Sequence, residues 1–263
     1  MTREEPDPLA APLTYPGLSP TRAAVLVTDT DILDIRPLWN AELGKWPVRN
    51  GTPLDQILLE EGAPPVAERI PVLAVGSNAS PAQVRRKTAN AGMRPTVPIT
   101  AVKACGLTVG VSAHVSKPGY VPATPIHNPA AVSDMWVLWL DSPLLTVMDA
   151  TEPNYHRVRL PARYPVHLES GRAVRDCWVY VSRHGYLTNR DGDPRKLTDQ
   201  ATLISGLLAE VPELKALAGT SPQEWIKRAR DKRVRDEIRS VFHSAGLVRQ
   251  QSGLDDAGGV GPF

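Results

Sequence analysis

Two short stretches carry the residue types from which a chemical site can be built. The first runs Pro71-Val72-Leu73-Ala74-Val75-Gly76-Ser77-Asn78-Ala79-Ser80-Pro81-Ala82-Gln83, an apolar run, a small polar loop and then a helix start. Ser80 is suited to cap that helix, Pro81 to its first position because its missing N–H would have no partner there, and Gln83 to complete a capping box. Gly76, Ser77 and Asn78 therefore stand where unpaired amides and the positive end of a helix dipole favour a carboxylate or phosphate. The second stretch, Leu140 to Val158, holds Ser142-Pro143, the apolar Leu144, Leu145, Val147 and Met148, and then Asp149-Ala150-Thr151-Glu152-Pro153. Pro153 pushes the residue before it out of the helical region, which places Glu152 at a helix-to-strand corner. Above an apolar helix its carboxylate is expected to be partly desolvated with a raised pKa, the state a general base needs at neutral pH. The same residues admit a plainer role, in which Asp149 and Glu152 decorate a turn or pair with Arg157 and Arg159.

Other candidates are weaker. Ser77 sits at a strand-to-helix turn like a nucleophile, but Ala74-Val75-Gly76-Ser77-Asn78-Ala79 lacks the G-x-S-x-G pattern, and a loop serine bonded to backbone is the simpler reading. Tyr155 and Arg157 alternate with His156 on an extended segment, so they share one face. His114, His127, His156, His167, His184 and His243 show no metal-ligand spacing, and neither a metal nor any other cofactor is expected. Lys227, Arg228, Arg230, Lys232, Arg233, Arg235 and Arg239 are interleaved with Asp231, Asp236 and Glu237. Such a run reads as a solvated helix face, with Trp225, Ile226, Ala229, Ile238, Val241, Phe242 and Ala245 as its buried side.

The elements that must position these residues are short. Strands are expected at Thr21–Val27, Pro71–Val75, Ala101–Val111, Asp134–Leu140, Tyr155–Leu160 and Cys177–Val181 from β-branched and aromatic content. A helix is expected over Pro53–Glu61, capped by Thr52, supported by Asp55 and ended by a left-handed Gly62. Ala201, Ile204, Leu207, Leu208 and Val211 repeat at helical spacing up to Pro212, and Ser221-Pro222-Gln223-Glu224 opens a further helix ending near Gly246. Strands first and helices afterwards argue for α+β. Residues 1–20 carry five prolines and read as mobile or draped over the surface, and Asp255 to Phe263 as a disordered tail.

Composition removes several function classes. With 30 basic against 28 acidic residues the net charge is +2, so no overall field points to nucleic acid or to an anionic membrane. Cys105 and Cys177 are too few for a disulfide scaffold and read as buried thiols in a reducing compartment. No basic start followed by an apolar run marks a signal peptide, and no apolar stretch is long enough to span a bilayer, so a cytoplasmic protein is expected. The 26 prolines in 263 residues favour a loop-rich fold.

Taken together, Val75-Gly76-Ser77-Asn78 and Met148-Asp149-Ala150-Thr151-Glu152 resemble the gamma-glutamyl cyclotransferase-like family. Its members carry a Tyr-Gly-Ser-Asn loop after the first barrel strand and a Leu-Asp-x-x-Glu segment before a later strand. Gly119-Tyr120-Val121-Pro122-Ala123-Thr124 also looks like a segment of that family, and the resemblance spans roughly residues 69–185. It implies a small closed mixed β-barrel of about six strands with packed helices, and N- and C-terminal extensions. On this view residues 1–68 form the N-terminal extension, 69–190 the barrel, 191–250 a helical segment and 251–263 the tail. Val75, Gly76, Ser77, Asn78 and Tyr155 would contact a gamma-glutamyl-like substrate, and Glu152 would be the acid/base for release of 5-oxoproline without a cofactor. Val75 stands where the family has tyrosine, so a phenol that could touch substrate is missing. A non-catalytic module binding a small anion in the same cradle is the alternative, followed by a serine hydrolase using Ser77.

Overall fold

The computed structural model describes residues 7–251, 253 and 254, and these fall into two compact units that interleave along the chain. The larger takes residues 18–108, 127–181, 253 and 254; the smaller takes 7–17, 109–126 and 182–251.

The larger unit is built on β1 (Ala24–Val27), β2 (Ile32–Asp34), α1 (Leu54–Glu60), β3 (Ile70–Ala74), α2 (Pro81–Asn90), β4 (Val97–Val111), β5 (Ala123–Leu140), α3 (Ser142–Ala150), β6 (Tyr155–Arg159), β7 (Val166–Leu168), β8 (Ala173–Val174) and β9 (Trp178–Ser182). All nine strands join one sheet in the order β2-β1-β4-β5-β3-β9-β6, with β7 on β4 and β8 on β7. The sheet is mixed: β3 runs antiparallel to β5, with Val72 opposite Leu138, and parallel to β9, with Val72 opposite Trp178. The architecture is therefore α+β, as expected. No ladder closes the sheet among the described residues, so the expected closed barrel is not found.

β3 is central because Pro71, Val72, Leu73 and Ala74 are all buried, the pattern of a strand covered on both faces. α2 and α3 contribute Val84, Leu144, Leu145 and Met148 to a core shared with Val72, Ala74, Leu138 and Tyr180. β5 begins at Ala123, well before Asp134, because His127 to Ala130 are exposed and give no alternation to read. The short β2, β7 and β8 also lack a legible period, and β1 starts at Ala24.

α1 follows Pro53, without a side-chain cap from Thr52. Asp55 instead accepts the Val66 N–H at 2.8 Å, tying the helix to the next turn. Gly62 does adopt a left-handed φ of +70° after the helix. Arg69 is buried and spends its guanidinium on three carbonyls, those of Pro64, Thr96 and Trp139 at 2.8–3.0 Å, which joins the entries to β3 and β4 to the end of β5. Burial lowers its pKa, against the pull of Asp141 and Asp55.

The smaller unit adds β10 (Tyr186–Leu187), α4 (Gln200–Glu210), α5 (Pro212–Ala218), α6 (Pro222–Arg228), α7 (Lys232–Ser244) and β11 (Val248–Arg249). Pro212 does not end the helical region; it opens α5 at a first-turn position. The single helix expected from Pro222 is broken at residues 229–231, where Asp231 caps α7 by accepting the Arg233 N–H. Trp225, Ile226, Ala229, Ile238 and Phe242 are buried as expected, Val241 is half-buried, and Ala245 is exposed. The segment read as mobile or draped is packed from Asp7 onward: Tyr15 is buried, stacks on Tyr120 at 4.2 Å, and its hydroxyl accepts the Ala123 N–H. Met1 to Pro6, Ser252 and Asp255 to Phe263 lie outside the described residues. Cys177 is buried, which pushes its thiol up to about 12, whereas Cys105 is half-buried. No helix among the described residues is long and apolar enough to cross a membrane.

The smaller unit also buries His114, whose Nδ1 lies 2.5 Å from Ser112 Oγ; that hydroxyl lies 2.6 Å from Ser182 Oγ. Burial, with His184 and Arg239 nearby, pushes the His114 pKa down to about 3. The folded state therefore refuses a proton that the unfolded chain binds near pH 6.5, and stability falls as pH drops from about 6.5 to about 3. The loss over that window should be on the order of 4 kcal/mol. Denaturant unfolding at several pH values should show this slope, and His114→Gln should flatten it.

Candidate functional site

The first candidate stretch folds as its residue types require. β3 delivers Val75 to Asn78, all half-buried, into a single helical turn over Ser77–Ala79, and Ser80 then caps α2 by accepting the Gln83 N–H. Pro81 occupies the first turn as expected. The Gln83 side chain is engaged differently from a capping box: its Oε1 accepts from Arg86 Nε and Nη2 at 3.2 and 3.0 Å, while the Ser80 N–H donates to the Ser77 carbonyl. Gly76 has φ −146°, so backbone handedness does not demand glycine there. What its missing side chain leaves is room for close approach to the loop.

The second stretch also forms its corner. Asp141 caps α3 through the Leu144 N–H at 2.9 Å, and the helix ends at Ala150. The Glu152 N–H then donates to the Asp149 carbonyl and the Tyr155 N–H to the Glu152 carbonyl, which fixes the turn into β6. Leu144, Leu145 and Met148 are buried beneath it and Val147 is half-buried.

The two stretches meet. Glu152 Oε1 accepts from Asn78 Nδ2 at 3.1 Å and from Lys87 Nζ at 2.7 Å, and the same ammonium donates to Asn78 Oδ1 at 2.6 Å. The Lys87 side chain is 6% exposed and that of Glu152 15%. Besides that apolar floor, Glu152 has a partner the sequence did not suggest: its closest contact is a buried cation from α2. Lys87 was missed by the sequence reading, although it falls three residues after the buried Val84 on the core-facing stripe of its helix.

Asp149 takes the plainer role. Arg157 grips it with two bonds, Nε to Oδ1 at 2.9 Å and Nη2 to Oδ2 at 3.1 Å, and the Tyr180 hydroxyl donates to Oδ1 at 2.7 Å. The Arg157 guanidinium lies over the Trp178 ring at 4.5 Å. Arg159 pairs with Asp176 rather than with either acid of the α3 corner. Burial and the bond to Asp149 raise the Tyr180 pKa well above the usual phenol range, so its hydroxyl remains a donor. Tyr155 and Arg157 are both half-buried and His156 exposed, as strand alternation requires, and Tyr155 packs against the core shared by α2 and α3. Trp178 and Tyr180 were legible only as strand residues; their period of two places them on one face.

Ser77 makes no side-chain bond to a histidine among the described residues, which leaves the nucleophile reading without a base. No group of His, Cys, Asp and Glu able to hold a metal ion is found among them either. Two surface clefts of about 430 and 560 Å³ lie in the larger unit, one lined by Arg94 and by Asp141 to Leu144 at the start of α3, the other by Tyr164 and Cys177; neither is lined by Gly76, Lys87 or Glu152.

No family model matches the chain, and no curated protein does. A solved structure described as a gamma-glutamyl cyclotransferase aligns with 66% of this chain and 99% of its own, at 12% identity and a TM-score of 0.37. A likeness of that size carries no argument about the reaction, which rests on the site itself.

The Asp149 grip yields a stability test. Asp149→Ala strips a buried tyrosine hydroxyl of its acceptor and should cost about 1–3 kcal/mol. Tyr180→Phe removes the donor and leaves Asp149 to Arg157, so its cost should be under about 1.5 kcal/mol. Denaturation midpoints of the two variants check the order.

Proposed function

We propose that this chain is a gamma-glutamyl cyclotransferase-like enzyme that releases 5-oxoproline from a gamma-glutamyl amine or peptide. The observation that carries the reading is the Glu152 carboxylate held against the Gly76–Asn78 loop by the Asn78 amide at 3.1 Å. In this reaction the α-ammonium of the substrate gives a proton to Glu152, and the freed amine attacks the substrate's own side-chain carbonyl. As the five-membered ring closes, Glu152 passes that proton to the leaving nitrogen and takes the second proton from the ring nitrogen; the bond to the leaving amine breaks and the amine departs as an ammonium carrying both. The chemistry needs no protein nucleophile and no cofactor. Main-chain groups of Gly76, Ser77 and Asn78 would hold the α-carboxylate or the developing oxyanion, with Val75 and Tyr155 lining the substrate. A cytoplasmic setting is supported by the two free thiols.

A second reading has its own support. Because Lys87 already occupies Glu152 Oε1, the same cradle suits a module that binds a small anion without turning it over. Turnover decides: a panel of gamma-glutamyl amines, dipeptides and isopeptides assayed for 5-oxoproline should contain a substrate. On that substrate Glu152→Gln should lower turnover by ~10²–10⁴, since glutamine keeps the shape but cannot take the proton, while the loss of the ion pair with Lys87 lowers stability. Gly76→Val should abolish binding through the lost approach, and Ser77→Ala should weaken it modestly. Normal turnover by Glu152→Gln would remove the assignment. A covalent acyl adduct, lost in Ser77→Ala, would move the chain to the hydrolases.

A further inference from the structure

We infer that Lys87 is a positioning residue of the proposed site, reserving Oε1 of Glu152 and leaving Oε2 as the oxygen that exchanges a proton with the substrate amine. The inference rests on the cyclotransferase reading and adds to it a residue outside both sequence stretches. Its ground is geometric. Oε1 receives two donors, Lys87 Nζ at 2.7 Å and Asn78 Nδ2 at 3.1 Å, whereas Oε2 has no hydrogen-bond partner among the described residues. Asn78 closes the triangle by accepting from the same ammonium at 2.6 Å, so the carboxylate is held from two sides and its free oxygen has a fixed direction.

The other charged or titratable groups around this corner are already committed. Asp149 on α3 is neutralised by the two-bond grip of Arg157 from β6, and the Tyr180 hydroxyl from β9 donates to Asp149. Lys87 is therefore the one cation in contact with Glu152 among the described residues. With Oε1 engaged by both donors, proton exchange with the substrate falls to Oε2, which holds each proton only in passing. One proton moves from the ammonium to Oε2 as the ring C–N bond forms and on to the departing nitrogen as the amide C–N bond breaks; the second follows from the ring nitrogen by the same oxygen, so that the lactam is neutral and the amine leaves as its ammonium. Lys87 holds the carboxylate and is not on the path of either proton.

The test reads Glu152 directly and needs no substrate. Protein carrying carboxyl-¹³C glutamate is titrated by NMR, the Glu152 signal being assigned by its loss in Glu152→Gln. Lys87→Met should raise the titration midpoint of that carboxyl by about one to three pH units above wild type, and Lys87→Arg, which keeps the charge, should restore it. If Lys87→Met does not fold, Lys87→Gln replaces it with the same expectation. A midpoint unmoved in the neutral variant, with only a lower melting temperature, would reduce Lys87 to a structural ion pair and overturn the inference. In a second arm, the acidic limb of kcat/KM on a gamma-glutamyl amine should move upward with the midpoint. Absence of turnover by wild type on every such compound refutes the cyclotransferase reading, while the titration still judges the hold of Lys87 on Glu152.

Discussion

The buried ion pair between Lys87 and Glu152 is the constraint on which the larger unit's architecture turns. Its partners are 65 positions apart, one on α2 and the other beyond the end of α3, and they can meet only if β3, its loop and both helices are all in place. Removing one partner from such a pair strands a charge in a dry site, at roughly 3–5 kcal/mol. The bridging Asn78 makes the loop part of the same arrangement. Shape and chemistry are thus joined at one point: whatever disturbs the packing of α2 against α3 also disturbs the carboxylate.

A second tier supports the first. Asp149, one helical turn before Glu152, is gripped by Arg157 and Tyr180, and Arg157 lies over the Trp178 ring. These contacts bind the end of α3 to β6 and β9, and so set the angle at which the corner presents Glu152. At the start of β3, Arg69 draws three carbonyls together. Both arginines use the planar fork that a lysine lacks, one on a carboxylate and the other on carbonyls.

How much of this was legible depended on whether the information was local. Ser80-Pro81 marks a helix start, and Pro153 marks an end, because each acts through its own backbone; both were read correctly from neighbouring residues. The meeting of Asn78 with Glu152 could be inferred only through a family resemblance, since no local rule reaches across that distance. Lys87 was passed over because a lysine in a helix is ordinarily solvated, and its position beside Val84 on the buried stripe was the one clue. The capping-box arm of Gln83 failed for a related reason: Arg86 competes for the same oxygen. The middle of β5 was unreadable because exposed proline and alanine fill it, and its pairing is set by strands remote in sequence.

The path of the sheet has two ends, β2 with three residues and β6 with five. Ends of this kind are where one molecule can add its backbone to another, and short, charged strands discourage it. Asp34 occupies one end, and Arg157 and Arg159 the other. Arg157 therefore serves in two capacities: besides gripping Asp149, it places positive charge along a terminal strand. Neutralising Arg159, which does not grip Asp149, would be felt in colloidal behaviour, as self-association at high protein concentration, even where the fold is unchanged.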